Sequence, residues 1–266
     1  MGIPLPGEFG ERARAILAGR LAPVAARDAA TVIVLRDDPL EVYLLRRKAT
    51  MAFAAGAYVF PGGSVDPRDD SHAVAWAGPS PAEWGELLRA EEKTARGLVC
   101  AAVRETFEES GVLLAGPTED TIAADTTGWD AEREALIDRS LSFVDFLNGK
   151  GLVLRSDLLK PWGHWITPEV EYRRFDTRFF VAALPYGQRT RDVGGEADSV
   201  AWMRPQEALD LAKSGEIAML PPTLHTLREM AGFEAIAAVF ANDRKIVTVM
   251  PRVVEVDGEM RLDVSG

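Results

Sequence analysis

Residues 104–112 read RETFEESGV, with glutamates at 105, 108 and 109 and a glycine at 111. Placed on a helix at about 100° per residue, Val99, Ala102, Val103, Thr106 and Phe107 fall on one mostly apolar stripe. Glu105, Glu108 and Glu109, related as i, i+3 and i+4, gather on the opposite side. Three carboxylates this close repel one another, by about 0.2–0.5 kcal/mol per like-charged neighbour even in solvent. Gly111 closes the helix, so the charges also sit at the end where the macrodipole disfavours anions. A purely solvated helix face, the competing reading, gains nothing from that placement. A bound Mg²⁺ or Mn²⁺ reverses the sign, because such ions take octahedral oxygen ligands. Arg104, beside the cluster, is placed to pair with one carboxylate and fix its orientation.

Composition narrows the field around this stretch. A chain of 266 residues, 47% hydrophobic and 27% charged, has the make-up of a globular protein with ample core. The formal net charge of -11 argues against binding nucleic acid or an anionic membrane, both of which need a basic footprint. An acidic protein that handles phosphates needs a divalent cation or a local basic cluster instead. The single cysteine, Cys100, excludes an intrachain disulfide and a cysteine-rich zinc site, and reads as a small packed side chain. That fits a reducing compartment, and the cytoplasm is the default expectation, since no signal-peptide pattern or run of eighteen apolar residues occurs. The three histidines, His72, His164 and His225, stand in unrelated contexts, and His164 between two tryptophans reads as structural. GxSxG, P-loop and GxGxxG signatures are missing.

Outward from the glutamates, hydrophobic periodicity predicts a helix from about 91 to 110 and strands at 30–36, 41–47, 57–60, 177–185 and 199–203. Helices are expected at 8–19, 131–147, 204–215 and from Pro221-Pro222 to about 241. Asp257-Gly258 predicts a hairpin turn in the tail, and residues 66–84 read as an irregular excursion. The economical architecture is one α/β domain over 1–266 with helical additions.

The segment at 104–112 resembles the second half of the Nudix box, G-x5-E-x7-R-E-U-x-E-E-x-G-U with U aliphatic, departing only at Thr106. Phe60-Pro61-Gly62-Gly63 resembles the strand end and glycine turn that open the box. Residues 64–103 separate the two halves, far beyond the pattern's spacing, so about 64–95 reads as an insertion. Where the pattern sets its first glutamate, eight before Arg104, stands Arg96; Asp69, Glu91 and Glu92 are the candidate substitutes. An interrupted box of this kind is similar to the acyl-coenzyme A diphosphatase branch of the Nudix superfamily. GAYVFPGG (56–63), PWGHWITPE (161–169), RRFDTRFFVAALP (173–185) and MLPPTLHTLREM (219–230) agree with it.

The resemblance implies a mixed β-sheet sandwiched between helices, with a C-terminal helical and hairpin extension at about 216–266. It implies a hydrolase that uses Mg²⁺ or Mn²⁺ to send water onto one phosphorus of a nucleoside diphosphate derivative. Glu105, Glu108 and Glu109 are the implied metal ligands, with Arg104 in the catalytic group and Glu109 or Glu105 contributing to water activation. Glu196, in the loop before SVAWM, is the candidate base or extra ligand. Arg46 and Arg47, beside Lys48, and the backbone at Gly62 and Gly63 are the implied substrate contacts, although the branch's internal arginine is replaced near Ala52 and Phe53. Coenzyme A or acyl-CoA is the leading substrate; ADP-ribose or a dinucleotide is the alternative, and a non-hydrolysing binding module the alternative of another class. Segment 64–95 and helix 131–147 are candidates for a pocket lid or a homodimer surface. Trp76, Trp84, Phe143 and Phe146 read as local core or, on the sharper reading, as cover for an acyl chain.

Overall fold

Aliphatic residues follow one another without polar alternation in β1 (Arg27–Arg36) and β2 (Glu41–Arg47), the pattern of strands covered on both faces. The computed structural model describes residues 2–48, 55–191 and 197–263. In it these strands join β3 (Ala57–Val59), β4 (Gly62–Ser64), β5 (Lys160–Ile166), β6 (Phe175–Ala183) and β7 (Ala197–Met203) in one mixed sheet. Strand β6, expected over 177–185, runs parallel to β1 and antiparallel to β5.

One irregularity of this sheet makes the site. Strands β1 and β2 pair only at Leu35↔Val42 and Arg36↔Glu41 and then part. The chain from 57 to 64 runs into the fork between them. Strand β3 pairs with β2 at Leu45↔Val59, and β4 pairs with β1 at Thr31↔Gly62 and Ala30↔Gly63. Phe60-Pro61 is the crossing point, where the Pro61 carbonyl accepts from the Val32 amide at 2.8 Å.

Each face of the sheet has its own core. On the first, Ala30, Val32, Val34 and Phe180 pack under α2 (Pro81–Leu88), α3 (Glu92–Ser110) and α5 (Phe143–Lys150). On the second, Ile33, Leu35, Leu44 and Val181 pack under α6 (Pro205–Ser214), α7 (Pro221–Met230) and α8 (Ile236–Ala241). The sheet is thus sandwiched between helices, as expected. The first helix, α1 (Gly7–Leu17), precedes the sheet, and the tail forms the hairpin of β8 (Arg252–Val256) and β9 (Glu259–Asp263) around Asp257-Gly258. No helix among the described residues is long and apolar enough to cross a membrane.

Two expectations need correction. The helix predicted over 131–147 is two, α4 (Asp130–Ile137) and α5, the second running on to a stop at Gly151. Arg139 takes a left-handed φ of 65° in the gap, and Ser142 caps α5 by accepting from the Asp145 amide at 3.0 Å. Capping chemistry overrides a hydrophobic period that runs unbroken across the joint. The excursion at 66–84 is less irregular than predicted, for α2 begins within it. Its signal was Ser80-Pro81-Ala82-Glu83, a capping box in which the Ser80 amide donates to Glu83 at 2.7 Å. The inserted segment packs onto the body, with Trp84 and Leu88 buried beneath α3. Phe143 and Phe146 are also in that core, Trp76 packs against it half-buried, and Phe143 in addition lines the cavity described below.

Candidate active site

Helix α3 is the best-buried helix of the first face, and both ends of RETFEESGV serve the burial. Gly111 ends it at φ 73°, its amide donating to the Phe107 carbonyl. Thr106, the departure from the aliphatic pattern, is fully buried but satisfies its hydroxyl on the Ala102 carbonyl at 2.7 Å. The glutamates opposite the stripe therefore face protein rather than solvent: they look onto β4.

Arg104 is the hub. It donates to Asp69 at 2.9 and 3.1 Å, to Glu105 at 2.7 Å, to Glu108 at 3.1 Å and to the Ser64 carbonyl at 3.0 Å. Asp69 is 2% exposed, so among the three substitutes for the missing box glutamate it is the one that reaches the site. Glu91 lies at the N-cap of α3, and Glu92 pairs with Arg96 at 3.6 Å. Burial disfavours the charge on Arg104, but Glu105 and Asp69 outweigh it and raise its pKa. Burial also raises Asp69, against the pull of Arg104. Glu108 is pushed up to about 7, first by burial and then by the Glu105 charge, with Arg104 opposing.

The glycine turn completes the arrangement. The Gly62 amide donates to Glu109 at 2.7 Å. A Cβ on Gly63 would land on the Glu105 carboxylate, and one on Gly62 would meet Thr31 Cα at 2.8 Å. Only glycine lets α3 and β1 approach this ribbon from two sides.

A cavity of about 620 Å³ opens around the turn, and Glu105, Glu108 and Glu109 line it together. Its walls come from both faces of the sheet. Leu45, Arg47, Val59, Leu136 and Leu141 belong to the first face; Thr31, Trp165, Phe175, Thr177 and Phe179 belong to the second, with the start of α7 above them.

Of the residues expected at the site, Arg104, Glu105, Glu108, Glu109, Gly62, Gly63 and Arg47 meet here. Arg46 does not. Alternation along β2 turns it to the other face, where its Nε lies 3.9 Å from Asp198. Glu196 lies outside the described residues. Sequence reasoning passed over four arginines that line the cavity, Arg27, Arg68, Arg139 and Arg173. No motif distinguishes them from surface arginines; only the folded chain gathers them.

The donor chemistry fits a hard divalent cation, with carboxylates alone converging on one cavity and Glu108 crowded by Glu105. The coordination shell is not ready-made: among the described residues no three His, Cys, Asp or Glu side chains are grouped closely enough to hold an ion. Arg104 accounts for that, since it already takes one oxygen each of Glu105 and Glu108.

His164 is a structural histidine, as its context suggested. It shares a hydrogen bond with Asp176 at 2.6 Å and one with Thr248 at 2.7 Å, beside Arg178 and away from the cavity.

Comparison with known proteins agrees with this geometry. Residues 92–230 match the family model of the NUDT19 Nudix domain. The chain is 30% identical over 236 residues to acyl-coenzyme A diphosphatase NUDT19 of Xenopus laevis, covering 74% of this chain and 61% of that protein. To the Homo sapiens protein of the same name it is 28% identical over 240 residues, covering 76% and 64%. The chain therefore spans about three fifths of the length of these curated relatives. A crystal structure of a Nudix hydrolase from Alicyclobacillus acidocaldarius superposes with a TM-score of 0.68 at 29% identity, covering 82% of this chain and 97% of that one. The box halves joined at the fork, the Arg104 hub and these likenesses lead to one assignment: the chain belongs to the Nudix superfamily, in its NUDT19 branch.

Proposed function

We propose that this chain hydrolyses the diphosphate of coenzyme A or an acyl-CoA to 3',5'-ADP and (acyl-)phosphopantetheine, with Mg²⁺ or Mn²⁺. The observation that carries the reading is the Arg104 hub, which ties Asp69, Glu105 and Glu108 together beside a cavity reached by both faces of the sheet. Glu105, Glu108 and Glu109 would hold the cation, which when bound neutralises phosphate oxygens and acidifies water. The chain's own residues do the rest. Arg104 fixes the directions of Glu105 and Glu108, and the Gly62 amide fixes that of Glu109. Glu109 or Glu105 takes the proton of the attacking water as its oxygen bonds to phosphorus and the bridging P–O bond breaks; Glu196 is the other candidate for that proton. Support for a coenzyme A substrate comes from the names of the relatives and from Arg47, which lines the cavity.

ADP-ribose or a dinucleotide is the second reading, because the same carboxylates would serve it. A non-hydrolysing binding module is disfavoured by a buried ionic hub that ligand binding alone does not require. The test is incubation with Mg²⁺ and, separately, coenzyme A, acyl-CoA, ADP-ribose and NADH, with products resolved by chromatography. We expect 3',5'-ADP from the first two. Turnover of ADP-ribose or NADH alone would favour the second reading, and turnover of none would favour the binding module. Glu108→Gln and Glu109→Gln are each expected to lower kcat/KM by about 100-fold or more. Unchanged activity in both would show that the catalytic site lies elsewhere.

A further inference from the structure

The cavity has more positive charge than its chemistry at the carboxylates uses, and that charge is unevenly committed. On the first face Arg104 is spent on Asp69, Glu105 and Glu108, and Arg68 is chelated by Asp66 at 2.9 and 3.0 Å. Arg47, on the same wall, is engaged as well, whereas the Arg139 side chain, near Leu136 and Leu141, has no hydrogen-bond or ion-pair partner among the described residues. The second face differs. Arg27 and Arg173 both line the cavity, and neither side chain has a hydrogen-bond or ion-pair partner among the described residues.

The backbone sets these two arginines at one place. Arg27 opens β1 opposite Phe175 of β6, two residues beyond Arg173, and the Arg27 amide donates to the Arg174 carbonyl at 2.9 Å. Between this rim and the glycine turn the floor is aromatic and hydroxylic: Trp165, Phe175 and Phe179, with Thr31 and Thr177. What sets these two guanidiniums apart from other unpaired surface arginines is their place together at the rim of the cavity, open to an anionic ligand. A rim of guanidinium forks beyond an aromatic floor matches a phosphorylated nucleoside, with the base stacked on the rings and the phosphate held by charge-assisted bonds. The carboxylates at the turn lie between the two walls, where a diphosphate would be held by their cation.

Resting on the coenzyme A reading above, we propose that the second-face wall is the subsite for the 3'-phosphoadenosine half of the substrate, with Arg27 and Arg173 clamping its 3'-phosphate. The (acyl-)pantetheine half then leaves along the aliphatic first-face wall, past Leu45 and Leu136. The substrate thereby acquires a direction. Selectivity for coenzyme A over its 3'-dephospho form becomes a property of two residues outside both halves of the Nudix box. Glu171 also lines this rim, where burial raises its pKa against the pull of Arg12.

The test compares coenzyme A with 3'-dephospho-coenzyme A, and 3',5'-ADP with 5'-AMP. Wild-type protein is expected to favour the 3'-phosphorylated member of each pair by about 10- to 100-fold, the worth of hydrogen bonds between charged groups. Turnover reads the first pair as a KM ratio, and calorimetry reads the second as a Kd ratio. Arg27→Ala and Arg173→Ala should each reduce both ratios, and the double variant should bring them near one. Both side chains are exposed, so the variants fold. Added salt should shrink the wild-type ratios toward those of the double variant. Equal wild-type affinity for 3',5'-ADP and 5'-AMP would overturn the inference, as would a collapse of the ratios in Arg139→Ala with Arg27→Ala and Arg173→Ala unaffected. Absence of turnover together with selective 3',5'-ADP binding would support the subsite while sinking the hydrolase reading, so the two fail separately.

Discussion

Gly62 and Gly63 show how closely packing and chemistry are joined at single positions. The three atoms nearest an added methyl at Gly63 all belong to the carboxylate of Glu105, a side-chain end held by Arg104 rather than by backbone pairing. The same methyl at Gly62 meets the β1 backbone at Ala30 and Thr31, which is fixed by pairing. The two substitutions should therefore part company. Gly63→Ala is expected to change stability by no more than about 1 kcal/mol while lowering kcat by about 100-fold, through displacement of Glu105. Gly62→Ala is expected to cost about 1–3 kcal/mol in urea unfolding, because overpacking strains a backbone that has no room to yield. Equal losses of stability in the two would show that the carboxylate is as firmly held as the strand. At this scale the sequence was partly legible. The carboxylates could be read from spacing, but Asp69 could be chosen over Glu91 and Glu92 only once its distance to Arg104 was known.

Among the elements, legibility followed the local signals. Helix α3 was readable to within a residue, because its period is strong and Gly111 supplies an unambiguous stop. The stretch 131–147 misled for the opposite reason: its apolar residues keep helical spacing through a break that depends on Ser142 and on the backbone of Arg139. This break has a purpose in the wall of the cavity, where Leu136, Arg139, Leu141 and Phe143 all contribute from either side of it. Ser142→Ala should lower stability by about 0.5–2 kcal/mol in urea unfolding, through loss of the cap on the Asp145 amide. An unchanged midpoint would show that the cap does not hold the joint.

On the scale of the whole molecule, two cores on opposite faces of one sheet hold the site between them, and the fork between β1 and β2 is what lets both reach it. An ion that binds this assembled site and not the unfolded chain must stabilise the fold. At a concentration 100 times its Kd, Mg²⁺ or Mn²⁺ is expected to add about 2.7 kcal/mol and to raise the melting temperature measurably. The combined Glu105→Gln, Glu108→Gln and Glu109→Gln variant should lose most of that shift. An equal shift in wild type and variant would place the ion on other groups.

Period, caps and turn residues, all local along the chain, were enough for the α/β class, the principal strands and the helix that carries the glutamates, and the resemblance of their motif pointed to the family. Long-range pairing added the rest: that Asp69 answers Arg104 across the insertion, that Arg46 turns away while Arg47 lines the cavity, and that Arg27 and Arg173 share its rim. RETFEESGV announces carboxylates in need of a cation, but pairing register and the forked sheet choose which distant side chains surround them. A one-residue change of register reverses a side chain's face, and no local signal records which strand lies opposite.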